Sequence, residues 1–297
     1  MRRPPLATAL LLALGVLAGC TSGGADPAPL PARTTGDPTQ SPTAYDSYVA
    51  LGDSYTAAPL VPPTDTSTIC LRSGVNYPAL VAEAMPGTAL TDVSCSGATT
   101  AHTRVVQRGA AGSVPPQLDA VRRGTDLVTI GLGGNDENLF GTLLLGCTRL
   151  AQAEPDGSPC TDRFADRVEP VLGTTRDNLT RVIRDVERRA PRAHVVVVGY
   201  PQIVPASGTC PDLPLAPGDY AFARDTNQRL TQTLEEAAAA ADVEYVDVWS
   251  ASEGHDICAG DPWINGRVTS AQRALAYHPL AAEQQAVADL VLEGLPG

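Results

Sequence analysis

The sequence predicts an α/β fold, with a central parallel sheet of about five strands and helices on both faces. Two observations predict it. Short apolar runs alternate along the chain with longer helical patterns, the signature of parallel strands joined by crossover helices. One run, His194-Val-Val-Val-Val198, has no polar alternation. A strand of that kind is buried on both faces, as in a sheet covered on two sides. Strands are expected over 48–51, 89–93, 127–130, 195–198 and 243–248, and helices over 77–85, 116–123, 162–189, 219–241 and 280–292. In the third helix Phe164, Val168, Leu172, Leu179, Ile183 and Val186 fall near one face, and Pro170 is expected to kink or break it. Two long stretches, 139–161 and 199–218, fit no regular element and hold cysteine and proline. They are read either as substrate-facing loops or as decoration.

The N-terminus stands apart from this pattern. Arg2 and Arg3 precede an apolar run from Leu6 to Leu17, too short for a stable spanning helix. Residues 1–19 therefore read as an export signal. Leu17-Ala18-Gly19-Cys20 resembles the lipobox of bacterial lipoproteins, which implies that Cys20 becomes the lipidated first residue. From Thr21 to Tyr45 there are five prolines, three glycines and seven serines or threonines. Nothing there repeats an apolar face, so 20–45 is expected to be a disordered tether reaching about 25–30 Å. Residues 46–297 then form one domain with a substantial core.

Charge excludes some partners. The net charge of −12 becomes −14 when Arg2 and Arg3 leave with the signal, and only arginine pairs such as Arg122-Arg123 and Arg188-Arg189 remain. Nucleic-acid binding is not expected. An acidic surface gives no pull toward anionic lipid, so any membrane association is expected through the lipid anchor alone. Six cysteines remain besides Cys20, at 70, 95, 147, 160, 210 and 258. In an exported chain an even number argues for disulfides, with fifteen possible pairings. A metal site is disfavoured: no Cys-x-x-Cys occurs, and the four histidines are scattered.

The chemistry is read from the strand ends. Gly52-Asp53-Ser54 follows the first strand, where open α/β sheets carry their reactive groups. Ser54 is the candidate nucleophile, and a helix N-cap is its bland alternative. No Gly-x-Ser-x-Gly elbow is present, because Thr56 stands where the last glycine would be. Gly97 follows the second strand, and Asn135 lies in Gly133-Gly-Asn-Asp136 after the third. Both are candidate oxyanion donors, together with the Ser54 amide; turn chemistry is the alternative. Asp53 and Asp136 are read as structural. A dinucleotide loop is discounted, since Asp136 occupies a position where glycine is needed. His278, at the start of the last helix, is the candidate base, because histidine titrates near neutral pH. Among the other histidines, His102 and His194 are poorer candidates, and His255 lies in a loop after the fifth strand. Trp263 either walls the pocket or packs in the core.

These pieces, Gly52-Asp53-Ser54, Gly97, Gly133-Gly134-Asn135-Asp136 and His278-Pro279 in that order, resemble the SGNH/GDSL hydrolase family from about residue 48 to 292. The likeness is to its secreted actinobacterial, three-disulfide esterases and lipases. It implies a flavodoxin-like three-layer α/β/α sandwich, the pairings Cys70–Cys95, Cys147–Cys160 and Cys210–Cys258, and no cofactor or metal. The expected activity is hydrolysis of small-molecule or lipid esters by a monomer, through an acyl-enzyme on Ser54. One departure stands out: many members carry Asp three residues before the histidine, and here that position is Leu275. The expectation is a Ser54–His278 dyad with the main-chain carbonyl of Leu275 orienting the ring; a carboxylate from Asp256 or Asp261 is the rival. A carbohydrate O-deacetylase or a non-catalytic solute-binding lipoprotein are the alternative functions.

Overall fold

The computed structural model describes residues 45–296. The expected signal peptide, Cys20 and nearly all of the tether lie outside the described residues. Five parallel strands form the main sheet: β1 Ser47–Gly52, β2 Ala89–Asp92, β5 Leu127–Gly131, β6 His194–Val198 and β7 Glu244–Val246, in the order β2-β1-β5-β6-β7. A separate hairpin pairs β3 Gln107–Gly109 with β4 Gly112–Val114. The principal helices are α2 Tyr77–Ala84, α4 Pro159–Arg189, α5 Tyr220–Ala240 and α7 Ala281–Gly294; shorter ones are α1 Ser54–Ala57, α3 Cys147–Ala153 and α6 Val248–Ala251.

Alternation along the strands sorts the core into two layers. Val49, Leu51, Val128, Ile130, Val195 and Val197 face one way, into a cluster with Leu172, Leu179 and Ile183 of α4 and Leu230 and Leu234 of α5. Tyr48, Ala50, Leu127, Val196 and Val198 face the other way, against Val81 of α2 and Val287 and Val291 of α7. The two-residue period of a strand puts consecutive side chains on opposite faces, so the unbroken valines of β6 serve both layers. Each buried valine contributes about 1.5–3 kcal/mol of transfer free energy. This is the expected three-layer α/β/α sandwich.

Several elements differ from expectation. The stretch 116–123 forms only a 3₁₀ turn, Gln117–Asp119. There Gln117 is buried and binds both the N–H and the C=O of Gly52, which ties this turn to the end of β1. Pro170 does not break α4, which runs for 31 residues. The proline lies on the exposed face, where water can take up the carbonyl bond it forfeits. The stretch 139–161 is mostly helical, with a π-helix at Gly141–Gly146 running into α3, a break at 154–158 and then the start of α4. Buried Asp219 caps that start by accepting the N–H groups of Cys160 and Thr161 at 3.0 and 2.8 Å, an anion on a helix N-terminus. β7 stops at Val246 because Asp247 accepts the Ser250 N–H and begins α6. The three disulfides join Cys70 to Cys95, Cys147 to Cys160 and Cys210 to Cys258.

Candidate active site

The carboxyl ends of β1 and β5 meet at two glycines. A Cβ on Gly52 would lie 2.2 Å from Thr56 Oγ1, and one on Gly131 would lie 2.5 Å from the same atom. Glycine at both strand ends thus lets α1 sit directly on the sheet. Asp53 is the N-cap of α1: its Oδ1 accepts the Tyr55 N–H at 2.8 Å. Ser54 is the first helical residue, so its own N–H has no intrahelical acceptor, and it has none elsewhere among the described residues. The serine is buried, 5% exposed, and lines a cavity.

That cavity has a volume of about 250 Å³ and is bounded by Ser54, Asn135 and His278 together with an apolar wall that includes Phe140, Leu144 and Leu145. Larger hollows of about 640 and 580 Å³ lie elsewhere, along α4, and are lined by arginines and acids without a serine–histidine pair. Size does not mark the site here; the gathering of reactive groups does.

His278 arrives on a braced segment. Asn265 N–H donates to the His278 carbonyl at 2.8 Å, and the Asn265 amide donates to the carbonyls of Val268, Ala274 and Leu275 at 3.0, 3.0 and 3.1 Å. Tyr55 Oη donates to the Tyr277 carbonyl at 2.9 Å, fastening the segment to α1. Tyr277 has φ +62°, a left-handed turn. This turn corrects the expectation for Leu275: His278 Nδ1 lies 2.7 Å from the carbonyl of Ala276, not that of Leu275. The Leu275 carbonyl is taken up by the Asn265 amide and by the His278 N–H at 3.3 Å. A carbonyl only accepts, so Nδ1 carries the hydrogen and Nε2 keeps its lone pair. Burial is the larger influence on the ring and lowers its pKa to about 4, against a smaller upward pull from the Ala276 carbonyl. The ring is therefore neutral at pH 7.

Neither rival carboxylate binds the ring. Asp256 accepts the Cys258 N–H at 2.8 Å. Asp261 belongs to His255, whose Nδ1 lies 2.8 Å from its carbonyl. The other histidines are engaged elsewhere: His102 caps a 3₁₀ turn through the Thr99 N–H, His194 pairs with Glu244 at 2.7 Å, and His255 stacks on Trp263. Trp263 thus neither walls the cavity nor joins the core.

Asn135 lines the cavity, and its Nδ2 donates to the Ala98 carbonyl at 3.0 Å. An amide has two N–H groups, so one anchors and one is left to point elsewhere. Gly97 does not line the cavity; it lies beside Ala98 on an exposed turn at φ +75°, a conformation that favours glycine. Asp136 ties the two loops together, accepting the Thr100 N–H at 2.8 Å and the Thr100 hydroxyl at 2.5 Å. Asp53 is structural in the same sense. Its buried carboxyl is raised to about 7, chiefly by desolvation, with the Tyr200 and Tyr55 hydrogen bonds pulling it back down.

Residues 50–286 match the model of the GDSL-like Lipase/Acylhydrolase family. The chain belongs to that family. It is accordingly a carboxylic ester hydrolase. Lipase 2 of Streptomyces coelicolor is 38% identical over 97% of this chain and 96% of its own length. Among solved structures, an extracellular lipase from Streptomyces rimosus is 32% identical with a TM-score of 0.70, covering 84% of this chain and 99% of its own. A phospholipase A1 from Streptomyces albidoflavus is 31% identical with a TM-score of 0.69, covering 85% of this chain and all of its own.

Three residues at or behind this GDSL hydrolase's site were not singled out in its sequence, although 139–161 was read as a possible substrate-facing stretch. Leu144 and Leu145 lie on a π-helix, in a stretch that carries no clean helical period. Tyr200 lies two residues past the end of β6, a position at the sheet's carboxyl edge that was the available signal. The second long stretch, 199–218, supplies no residue to the cavity wall. Its Tyr200, Ile203, Val204, Leu213 and Leu215 are drawn into the core.

Proposed function

We propose that this enzyme hydrolyses carboxylic acyl esters through a covalent intermediate on Ser54. The observation that carries the reading is the single cavity shared by Ser54, Asn135 and His278, with an apolar wall beside them. The neutral Nε2 of His278 takes the Ser54 proton as the hydroxyl attacks the ester carbonyl. The Nδ1 hydrogen bond to the Ala276 carbonyl fixes the tautomer that this requires and disperses charge on the imidazolium that forms. The Ser54 amide and the free N–H of Asn135, both at the cavity wall, hold the oxyanion; Gly97 lies outside that wall and is not one of the donors in this reading. His278 then protonates the departing alcohol. Water, activated by the same ring, releases the acid and regenerates Ser54. We further propose that the enzyme acts as a monomer. The apolar wall of Phe140, Leu144 and Leu145 favours a hydrocarbon acyl group over the polar groove that a carbohydrate O-deacetylase needs.

We also propose export, with residues 1–19 as the signal, Cys20 as a lipidated anchor and 20–45 as the tether to a catalytic domain at 46–297. The three disulfides support an oxidising destination. Turnover of a p-nitrophenyl ester by Ser54→Ala tests the chemistry. We expect loss of nearly all activity with unchanged thermal stability; retained turnover would show that another residue attacks.

A further inference from the structure

Behind the cavity, one phenol joins the loop of Ser54 to the loop of Asn135. Tyr200 Oη donates to Asp53 Oδ2 at 2.6 Å and accepts the Gly134 N–H at 2.9 Å. Asp53 is the cap of the Ser54 turn, and Gly134 immediately precedes Asn135. The hydroxyl therefore sets the separation between two donors that must converge on one oxygen atom. Tyr200 is 1% exposed and Asp53 fully buried, so water cannot replace either bond. The ring itself is gripped by edge-on contacts with Tyr55 and Phe140, at 5.4 and 5.0 Å between centroids. These contacts fix where the hydroxyl sits. The three groups come from the ends of β1, β5 and β6, which are adjacent in the sheet.

We infer that Tyr200, acting through Asp53 and Gly134, is a positioning residue for the oxyanion site. It touches no substrate, and the inference rests on the reading of Ser54 as nucleophile. Tyr200→Phe keeps the ring packing and removes both bonds. Asp53→Asn disturbs the same link from the other side. Whichever way the amide turns, its NH₂ faces either the Tyr55 N–H or a phenol oxygen already occupied by Gly134.

The test compares these variants with Tyr48→Phe. That change also deletes a buried phenol bond, the one between Tyr48 Oη and Thr129 Oγ1 at 2.9 Å, but in the opposite layer of the core. On a p-nitrophenyl ester we expect Tyr200→Phe to lower kcat about 10- to 100-fold with KM within about two-fold, the size of effect that misplacing a catalytic group produces. Affinity for an alkyl boronic acid, which forms a tetrahedral adduct on the serine, should fall in step. Asp53→Asn should behave likewise, and the double variant should be no slower than the slower single one. Tyr48→Phe should lose comparable thermal stability yet keep its kcat. A normal kcat in Tyr200→Phe, an equal kcat loss in Tyr48→Phe, or a double variant that multiplies the single effects would each overturn the inference. Should Tyr200→Phe not fold, Asp53→Asn alone decides. Fluorophosphonate labelling of Ser54 in the wild type separates this outcome from failure of the underlying mechanism, since labelled wild type with a normal Tyr200→Phe sinks only the positioning role.

Discussion

Asn135→Ala is the substitution that isolates one oxyanion donor. One N–H of the Asn135 amide is committed to the Ala98 carbonyl at 3.0 Å; under the proposed mechanism the other meets the substrate oxygen. The two losses have different sizes. A single side-chain-to-backbone bond at a half-buried position is worth about 1 kcal/mol of stability. A donor aimed at the developing oxyanion is worth about 2.7–4 kcal/mol in the transition state, or about 10²–10³ in kcat. The kinetic effect should therefore far exceed the stability effect, and it should appear in kcat, because the oxyanion exists only after attack. The assay is steady-state hydrolysis of p-nitrophenyl butyrate beside a thermal melt. The reasoning is refuted if kcat falls less than about ten-fold in a folded variant, or if the loss lies in KM.

Two further outcomes follow from the same geometry. His278 acts as base only when neutral, and burial lowers its pKa from 6.5 to about 4; kcat/KM should hold as pH falls below 6.5 and drop only toward 4. An acid limb centred near 6.5 that persists in Asp53→Asn, which removes the carboxyl raised to about 7, would show a solvated ring. Leu144→Trp intrudes on the apolar wall and should shift preference toward short acyl chains. Losing burial of two methylenes at about 0.8 kcal/mol each lowers relative kcat/KM for the longer ester about fifteen-fold. An unchanged chain-length profile would remove Leu144 from the acyl site.

The sheet was legible because its signal is local. The valines of 195–198 read as a doubly covered strand, and β1 running into Gly52-Asp53-Ser54 placed the serine at the sheet's carboxyl edge. The order along the chain and the places after strands pointed to Asn135 and His278, which the structure sets on one cavity with Ser54. What escaped depended on the direction of single peptide units. Leu275 was favoured as the carbonyl partner because it stands where many members of the resembled family carry Asp, whereas the left-handed Tyr277 turns the Ala276 carbonyl toward Nδ1 instead. Pro170 passed through α4 because its place on the exposed face, a tertiary fact, makes the missing bond tolerable. The π-helix of 141–146 was illegible because its period matches neither a strand nor an α-helix. Tyr200 acts across three strand ends, a relation that no window of sequence contains.

The central claim is that the Ser54 hydroxyl is the attacking group, made reactive by the imidazole of His278. Peptide mass spectrometry after reaction with a fluorophosphonate tests it directly. We expect one phosphonyl adduct, on Ser54, formed at least a hundred-fold more slowly in His278→Ala. An adduct elsewhere, or unchanged labelling without the histidine, would contradict the account.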